Sequence, residues 1–145
     1  MIIDCLMNLS LLYWASETDQ DPRFTAIAKR HADKAMEVLF RKDGSANHIG
    51  ILDPENGEVL ELPGGQGYGE GSSWSRGQSW ALYGFAISYA HTKEQKYLDA
   101  AKQSAHYFIA NAALHDYLPL CDFRAPEEPV YYDSTAGACA ACGLL

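Results

Sequence analysis

The sequence predicts an all-α protein in which helices that are apolar all round alternate with amphipathic helices. Residues 2–15 and 78–91 are apolar on nearly every face, so each is expected to form a helix that is buried on every side. Residues 22–39 and 93–112 repeat apolar side chains at i, i+3 and i+4, so each is expected to bury one face. Residues 134–145 return to the first pattern. This alternation is typical of an α/α barrel, in which an outer ring of helices surrounds an inner ring.

Local signals predict where the helices begin. Asp21 followed by Pro22 predicts an N-cap and the first residue of the second helix. The tetrapeptide from Thr92 to Gln95 predicts a capping box for the fourth helix, and Asp133 predicts the cap of the fifth. The first helix begins without a cap and the last ends without one. We therefore expect residues 1–145 to be part of a single domain that is truncated at both ends.

A long insert, from about residue 42 to residue 76, separates the second helix from the third. The turn sequence from Asp53 to Gly57 lies between the apolar runs HIGIL and EVLEL and predicts a short β-hairpin. Residues 63–71 are rich in glycine, which indicates backbone that turns tightly or passes close to a ligand. Loops of this length are usually functional. The insert also breaks the fixed period that a helical solenoid requires.

Composition excludes several classes of partner. The chain carries 11 Lys and Arg against 19 Asp and Glu, a formal net charge of −8. It lacks the basic surface of a nucleic-acid-binding protein, and its charge disfavours anionic membranes. No apolar run is long enough to cross a membrane, and Asp4 interrupts the N-terminal apolar stretch, so no signal peptide is expected. The compartment, cytoplasmic or periplasmic, is left open.

The four cysteines predict neither a metal site nor a redox site. Cys139 and Cys142 form a C-x-x-C, but no second pair of ligands and no βαβ unit accompanies them. We interpret the cysteines as small apolar residues within helices. No metal and no cofactor are therefore expected.

Polar residues collect where the apolar helices begin. Parallel inner helices would bring these beginnings to one rim of the barrel, and the glycine-rich insert would enter the same rim. A convergent polar cluster at the mouth of an apolar ring is the usual form of a small-molecule site. The residues concerned are Asp4, His48, Gln66, Arg76, Gln78, Trp80, Asp133 and Ser134.

Asp4 is the sharpest candidate, because a carboxylate among aliphatic neighbours is rarely buried without a function. Its neighbours are Ile2, Ile3, Cys5 and Leu6. One interpretation is a general acid that works near neutral pH. The other is a helix cap or a partner of the helix dipole, which contributes up to about 1 kcal/mol. The residue pattern leaves both open.

Two tryptophans, Trp74 and Trp80, bracket Arg76 in the sequence WSRGQSW. A guanidinium between two indoles is suited to hold a carboxylate in a bidentate fork, and indole faces are good platforms for sugar rings. The alternative is an ordinary surface arginine that stacks on tryptophan. His48 has the same two interpretations, a contact to a ligand or a structural histidine.

Several stretches of the chain together resemble the unsaturated glucuronyl hydrolases, glycoside hydrolase family 88. The resemblance covers essentially the whole chain. Its most specific parts are the motifs I-I-D-x-x-M-N-L and R-G-Q-x-W-A-L-Y-G-F. The stretches are MIIDCLMNLSLLYWAS, RKDGSANHIGILDPENGEV, QGY, SSWSRGQSWALYGFAISYAHT, DYLPLCDFRAP and DSTAGACAACGLL.

The resemblance implies an (α/α)6 barrel of about twice this length, of which the chain would be the central part. It also implies hydration of the C4–C5 double bond in the unsaturated uronic acid that polysaccharide lyases leave at a non-reducing end. This reaction releases the unsaturated uronate from its neighbouring sugar. The implied partner is an oligosaccharide that contains an unsaturated uronate, with no nucleic acid and no membrane.

The resemblance also assigns roles to individual residues. Asp4 matches the aspartate that donates a proton to the double bond and assists the attack of water. Gly64 matches a contact made by close approach of the backbone. The matched substrate-binding residues are His48, Gly64, Gln66, Trp74, Arg76 and Trp80.

Two departures from the family pattern affect these expectations. The family's second essential aspartate lies in an H-D-x-G-type segment that would precede Met1, and this chain has DSTA where the family usually has DSSA. The isolated chain is therefore expected to be inactive, because part of a barrel cannot complete the site. Exposed surfaces of its inner helices are expected to cause self-association.

Two rival functions remain open. The related unsaturated rhamnogalacturonyl hydrolases share the fold and the chemistry but carry a different motif around the R-G pair, so RGQSWALYGF favours the glucuronyl family. The other rival is a helical carbohydrate- or protein-binding domain without catalysis. Replacing Asp4 by Asn separates the two classes, because a binding domain would not respond to the change.

Overall fold

The computed structural model describes all 145 residues, from Met1 to Leu145, and confirms a helical chain with one short β-hairpin. The five helices follow the predicted order, and the two strands lie between the second helix and the third. The elements are α1 (Cys5–Asp19), α2 (Pro22–Leu39), β1 (Ile51–Leu52), β2 (Val59–Glu61), α3 (Ser75–Thr92), α4 (Gln95–Ala113) and α5 (Ser134–Leu144).

Capping explains where α2 begins, whereas the predicted cap of α4 is wrong. Asp21 accepts a hydrogen bond from the Arg23 N–H at 3.0 Å, and Pro22 opens α2 as predicted. The Thr92 hydroxyl instead donates to a carbonyl one turn earlier in α3, and α4 has no side-chain cap. The reason is that α3 continues as far as Thr92. The chain then reverses direction through Lys93, whose φ is +58°.

Helices α1, α3 and α5 form one layer, with α2 packed outside α1 and α4 packed outside α3. Ile3 lies against Gly77 at one end, and Leu6 lies against Gly84 further along, so α1 and α3 run parallel. A Cβ atom at Gly84 would overlap the Leu6 side chain. The absence of a side chain at this position therefore sets how closely the two inner helices approach.

The outer helices α2 and α4 each bury one face, as predicted from their spacing. The two helices are also joined by a polar contact, since the fully buried Tyr97 of α4 donates its hydroxyl to Asp33 of α2 at 2.8 Å. The buried residues are Ala28, Ala32, Ala35, Val38 and Leu39 of α2, and Tyr97, Ala100, Ala101, Ser104, Ala105, Phe108 and Ala112 of α4.

Burial on every side is confirmed for α3 and is wrong for α1 and α5 in this chain. No residue between Ser75 and Tyr89 is exposed. In α1, however, Leu11 is 64% exposed and Trp14 is 59% exposed, and Leu144 at the end of α5 is 52% exposed. The reason is that α3 has neighbours on both sides within its layer, while α1 and α5 each have only one.

The predicted β-hairpin is confirmed in the insert. β1 and β2 pair antiparallel, and the Asp53 carboxylate accepts from the Glu55 N–H at 2.7 Å inside the turn. Gly57 adopts a φ of +75° where the turn returns to β2. The glycine-rich residues 63–71 then lead the chain to the start of α3.

None of the five helices combines the length and the apolarity that a membrane crossing requires.

Candidate active site

The N-terminal ends of α1, α3 and α5 lie at one end of the inner layer. Ile3 contacts Gly77 in the first turn of α3. From that turn, Arg76 donates through Nε to Asp133 Oδ2 at 3.0 Å, and Asp133 is the residue that caps α5. The polar residues that begin the three helices therefore share one rim, and the insert supplies His48 to the same place.

The Asp4 carboxylate lies at this rim with an unpartnered oxygen. Asp4 directly precedes α1, but its carboxylate accepts no hydrogen bond from the helix, so the interpretation of this side chain as a helix cap is wrong. Its side chain is 33% exposed, and its Oδ2 atom is buried without any hydrogen-bond partner. This oxygen faces His48, whose Nε2 atom lies 3.5 Å away. A buried polar atom without a partner is uncommon and calls for an explanation such as a catalytic role. An incoming group can reach Asp4 through the exposed third of its side chain.

His48 is held so that one particular nitrogen faces Asp4. Its Nδ1 accepts a hydrogen bond from the Gln66 N–H at 2.9 Å, so the hydrogen of the neutral ring is on Nε2. Burial lowers the pKa of His48 below its ordinary value, and the nearby Asp4 carboxylate opposes that shift. The ring is 7% exposed and lies 4.5 Å, centroid to centroid, from Trp74. A neutral Nε2–H imidazole therefore faces the carboxylate.

Glycine is required in the loop where it touches His48. Gly65 has a φ of +61°, and a Cβ atom at this position would overlap His48 Nδ1. The neighbouring Gly64 packs against the Gly69 carbonyl, so its close backbone approach is made within the loop itself. The Gln66 side chain is exposed, while its backbone N–H is the group that meets His48.

Arg76 is paired with a carboxylate of the chain itself. Its Nη2 atom lies 2.8 Å from Asp133 Oδ2, and its Cζ atom lies 5.6 Å from the centre of the Trp74 ring. The other carboxylate oxygen, Asp133 Oδ1, accepts from the Thr135 and Ala136 N–H groups at the start of α5. Asp133 therefore joins Arg76 to the N-terminal end of α5 and limits how the guanidinium can rotate.

The remaining predicted residues lie at different depths. Trp74 is 6% exposed. Trp80, one helical turn beyond Arg76, is half-buried against the core. Gln78 turns away from the rim, since its Nε2 donates to the Gly44 carbonyl at 2.6 Å and to Ser104 at 2.7 Å. The prediction that Gln78 belongs to the polar cluster is therefore wrong, because this side chain instead bonds α3 to the outer helix α4.

One buried carboxylate beside the site, Asp122, was missed by the sequence analysis. It is 4% exposed and accepts backbone hydrogen bonds from Tyr68, Ser73 and Arg124. The signal was present, because Asp122 stands between Cys121 and Phe123, much as Asp4 stands among aliphatic residues. The same argument from burial would have identified it.

A cleft of about 580 Å³ opens beside the rim, between the glycine-rich loop and the segment that joins α4 to α5. It shares Gln66 with the predicted site, and its wall includes Tyr68, Asp122 and Tyr131. Asp4, His48, Trp74 and Arg76 do not line it. The cleft is therefore a neighbour of the Asp4 cluster rather than its centre.

The cysteines near the rim are free thiols. Burial raises the pKa of Cys5, next to Asp4, to about 11, and burial also raises the pKa of Cys121 and of Cys139. A thiol with a raised pKa is a poor nucleophile at neutral pH. These thiols are therefore poor candidates for a nucleophile at this rim.

Comparison with known sequences identifies relatives over the whole chain, although no family model matches it. The unsaturated glucuronyl hydrolase of Bacillus sp. strain GL1 is 43% identical over 146 residues, which cover 100% of this chain and 38% of that protein. The unsaturated chondroitin disaccharide hydrolase of Streptococcus pyogenes serotype M1 is 33% identical over 157 residues, which cover 99% of this chain and 36% of that protein. The chain spans little more than a third of the length of either relative.

Solved structures agree with the sequence comparison. The crystal structure of the Bacillus sp. GL1 enzyme matches with a TM-score of 0.94 and 43% identity, and the match covers 99% of this chain and 38% of that structure. An unsaturated glucuronyl hydrolase variant from Streptococcus agalactiae, complexed with dGlcA-GalNAc6S, matches with a TM-score of 0.83 and 34% identity, over 99% of this chain and 38% of that structure. By sequence and by fold, the chain belongs to the unsaturated glucuronyl hydrolase family.

Proposed function

We propose that this chain supplies one catalytic carboxylate of a glycoside hydrolase that acts on unsaturated uronic acids. The substrate is the oligosaccharide left by a polysaccharide lyase, with the unsaturated uronate at its non-reducing end. The single observation that carries the proposal is the buried, unpartnered Asp4 Oδ2 atom at the rim that also holds His48, Trp74 and Arg76. Family membership supports the same reaction class.

The chemistry of the substrate explains why one carboxylate can act first as a proton donor and then as a proton acceptor. The C4–C5 double bond is an enol ether, since C5 also carries the ring oxygen, so a proton adds at C4 and the oxygen of water adds at C5. The hemiketal formed at C5 opens to a ketone and returns a hydrogen to the ring oxygen. C1 is then a hemiacetal carbon, which expels the neighbouring sugar and becomes an aldehyde. A general acid that gives a proton to C4 can then accept one from the attacking water.

Asp4 fits this double role because of its surroundings. Its side chain is 33% exposed at the rim, so the carboxylate can be reached by the double bond, and no hydrogen bond from the protein holds its Oδ2 atom. The neutral His48 presents its Nε2–H to this oxygen and can steady the carboxylate without neutralising its charge. In this proposal, His48, Gln66 and Trp74 contact the uronate ring, with the Trp74 indole as a stacking platform, and Gly64 shapes the loop around it.

Arg76 is proposed to meet the uronate carboxylate with the part of its guanidinium that Asp133 leaves open. Its Nε and Nη2 atoms both lie next to Asp133 Oδ2, so Nη1 points away from that contact. The Asp133 charge offsets much of the arginine charge, which favours an oriented hydrogen bond over general attraction of anions. Trp80, one turn further into α3, is proposed to line the floor of the same pocket.

We further propose that α1, α3 and α5 form part of the inner ring of an (α/α)6 barrel, and that residues 1–145 lie within one domain. The parallel inner layer, the outer helices and the exposed apolar faces of α1 and α5 support this architecture. Each of those faces would be covered by a neighbouring inner helix.

Replacing Asp4 tests the proposed function in a chimera. In this chimera, the chain takes the place of the matching stretch of the Bacillus sp. GL1 enzyme. The assay follows the loss of absorbance from the double bond of an unsaturated glucuronyl disaccharide. Asp4→Asn is expected to lower kcat by about a hundredfold to ten-thousandfold, because it removes the proton donor. Asp19→Asn, at the exposed end of the same helix, is the matched control and should leave the rate unchanged. An Asp4→Asn chimera as fast as the control would disprove the proposal.

A further inference from the structure

Asp122 lies between α4 and α5, and its carboxylate holds the glycine-rich loop from outside. Oδ2 accepts from the Tyr68 N–H at 2.9 Å, and Oδ1 accepts from the Ser73 N–H at 2.9 Å and from the Arg124 N–H at 2.8 Å. Hydrogen bonds to an ionised acceptor are about twice as strong as neutral ones. Tyr68 and Ser73 lie at the two ends of residues 68–73, so one carboxylate holds both ends of this part of the chain.

The backbone around Asp122 supports the same attachment. The Phe123 N–H donates to the Ser73 carbonyl at 3.0 Å, and the Ser75 N–H donates to the Cys121 carbonyl at 3.0 Å. Gly67 packs directly on the carboxylate, since a Cβ atom there would lie 2.8 Å from Asp122 Oδ2. The start of α3 and the loop before it are thus fixed to Asp122 and to the backbone of its two neighbours, Cys121 and Phe123.

The loop held by Asp122 is the one that orients His48. The Gln66 N–H that donates to His48 Nδ1 lies only two residues before Tyr68. If this part of the loop moved, Nδ1 would lose its donor, and the preference for a hydrogen on Nε2 would weaken because Nδ1 could then carry it. The Nε2–H that faces Asp4 therefore depends on contacts that begin at Asp122.

We propose that Asp122 is a positioning residue, which fixes the glycine-rich loop so that the Gln66 N–H selects the Nε2–H form of His48 that faces Asp4. It acts through the loop and makes no contact with Asp4. The catalytic consequence rests on the proposed function, whereas the state of the His48 ring does not.

Asp122→Asn is the informative change, because it alters one acceptor atom and keeps the size of the side chain. The amide oxygen can still accept from Ser73 and Arg124 in the position of Oδ1. The amide NH₂ group then stands where Oδ2 stood and meets the Tyr68 N–H, donor against donor. The end of the loop next to Gln66 is released while the end next to α3 stays bonded.

The first measurement uses the 145-residue chain and the ¹⁵N resonances of the His48 ring, which distinguish a protonated nitrogen from an unprotonated one. The unmodified chain is expected to show only the Nε2–H form. Asp122→Asn is expected to show a mixture of both tautomers. Asp116→Asn, an exposed aspartate of the same segment, is the matched control and should resemble the unmodified chain.

The second measurement uses the Bacillus chimera. Asp122→Asn is expected to lower kcat/KM by about tenfold to a hundredfold, as is typical for a catalytic group displaced by about 1 Å. Asp116→Asn should have no effect. If the unmodified chimera is inactive, the proposed function fails, and the ring resonances still decide whether Asp122 positions His48.

The inference is overturned if Asp122→Asn matches Asp116→Asn in both the His48 resonances and the rate. Should Asp122→Asn fail to fold, amide hydrogen exchange in the unmodified chain decides. Slow exchange of the Gln66 and Tyr68 N–H groups supports the inference, whereas exchange as fast as in an unstructured peptide overturns it.

Discussion

At the scale of single residues, the site depends on how the His48 ring and the Asp4 carboxylate face each other. His48 receives a backbone N–H on one ring nitrogen and presents the other to a carboxylate that has no further partner. Neither group alone would indicate catalysis, since buried histidines and aspartates are often structural. Their arrangement matters because it places a histidine N–H beside Asp4 Oδ2, which accepts no hydrogen bond from the protein.

The neutral state of His48 predicts how stability changes with pH. Burial places its folded pKa below the value of about 6.5 found in an unfolded chain, so folding is favoured with the ring neutral. This contribution is complete above the unfolded pKa and is lost as the pH falls through the folded one. The urea midpoint of the chain should therefore drop between pH 7 and pH 5 by more than that of His48→Gln. Equal drops would contradict the assignment of a neutral buried ring.

At the scale of secondary-structure elements, the spacing of the inner helices positions the rim. Asp4 is the residue before α1, and Arg76 lies in the first turn of α3. Any separation of these two helices therefore moves the two side chains apart. The close approach at Gly84 sets this separation, because its missing side chain accommodates Leu6.

Gly84→Ala tests that packing. The added Cβ atom would overlap the Leu6 side chain near its backbone, where it cannot rotate away, so the helices must separate. We expect a loss of about 1–3 kcal/mol in the free energy of unfolding, measured by urea denaturation. Gly137→Ala in α5 is the matched control, since its Cβ would meet only Pro119 at 3.6 Å. The control should be neutral or stabilising by up to about 1 kcal/mol. Equal midpoints for the two variants would contradict the packing argument.

At the scale of the whole molecule, the inner layer is enclosed only in its middle. α3 is buried, whereas α1 presents Leu11 and Trp14 to solvent and α5 presents Leu144. Apolar faces of this kind are normally covered by other helices or by another molecule. The inner layer of this chain therefore has an uncovered apolar surface at each side, one on α1 and one on α5.

The isolated chain is expected to self-associate through these faces and to show no hydrolase activity. Sedimentation velocity should reveal concentration-dependent oligomers that Leu11→Glu with Trp14→Glu dissociates. Ile27→Glu, on the exposed side of the outer helix α2, is the matched control and should leave the oligomers intact. A strictly monomeric chain would contradict the first expectation. Loss of the double-bond absorbance of an unsaturated disaccharide would contradict the second.

The sequence by itself determined the order of the helices, the amphipathic faces of α2 and α4, the hairpin turn and the cap at Asp21. All of these depend on side-chain periodicity or on residues a few positions apart. It also identified Asp4, His48, Trp74 and Arg76 as candidates, through the residues next to each in the sequence and through the resemblance to a family.

Only the tertiary structure decided what those candidates touch. The Arg76–Asp133 pair joins residues 57 positions apart, the contact between Tyr68 and Asp122 spans 54, and the Gln66 N–H reaches His48 across 18. Such partners depend on how helices and loops pack, which no local pattern encodes. For the same reason, Gln78 was misplaced, and the sequence did not show which residues of α1 and α5 would be exposed. A helix sequence records that a face is apolar, but only the fold determines which neighbour covers it.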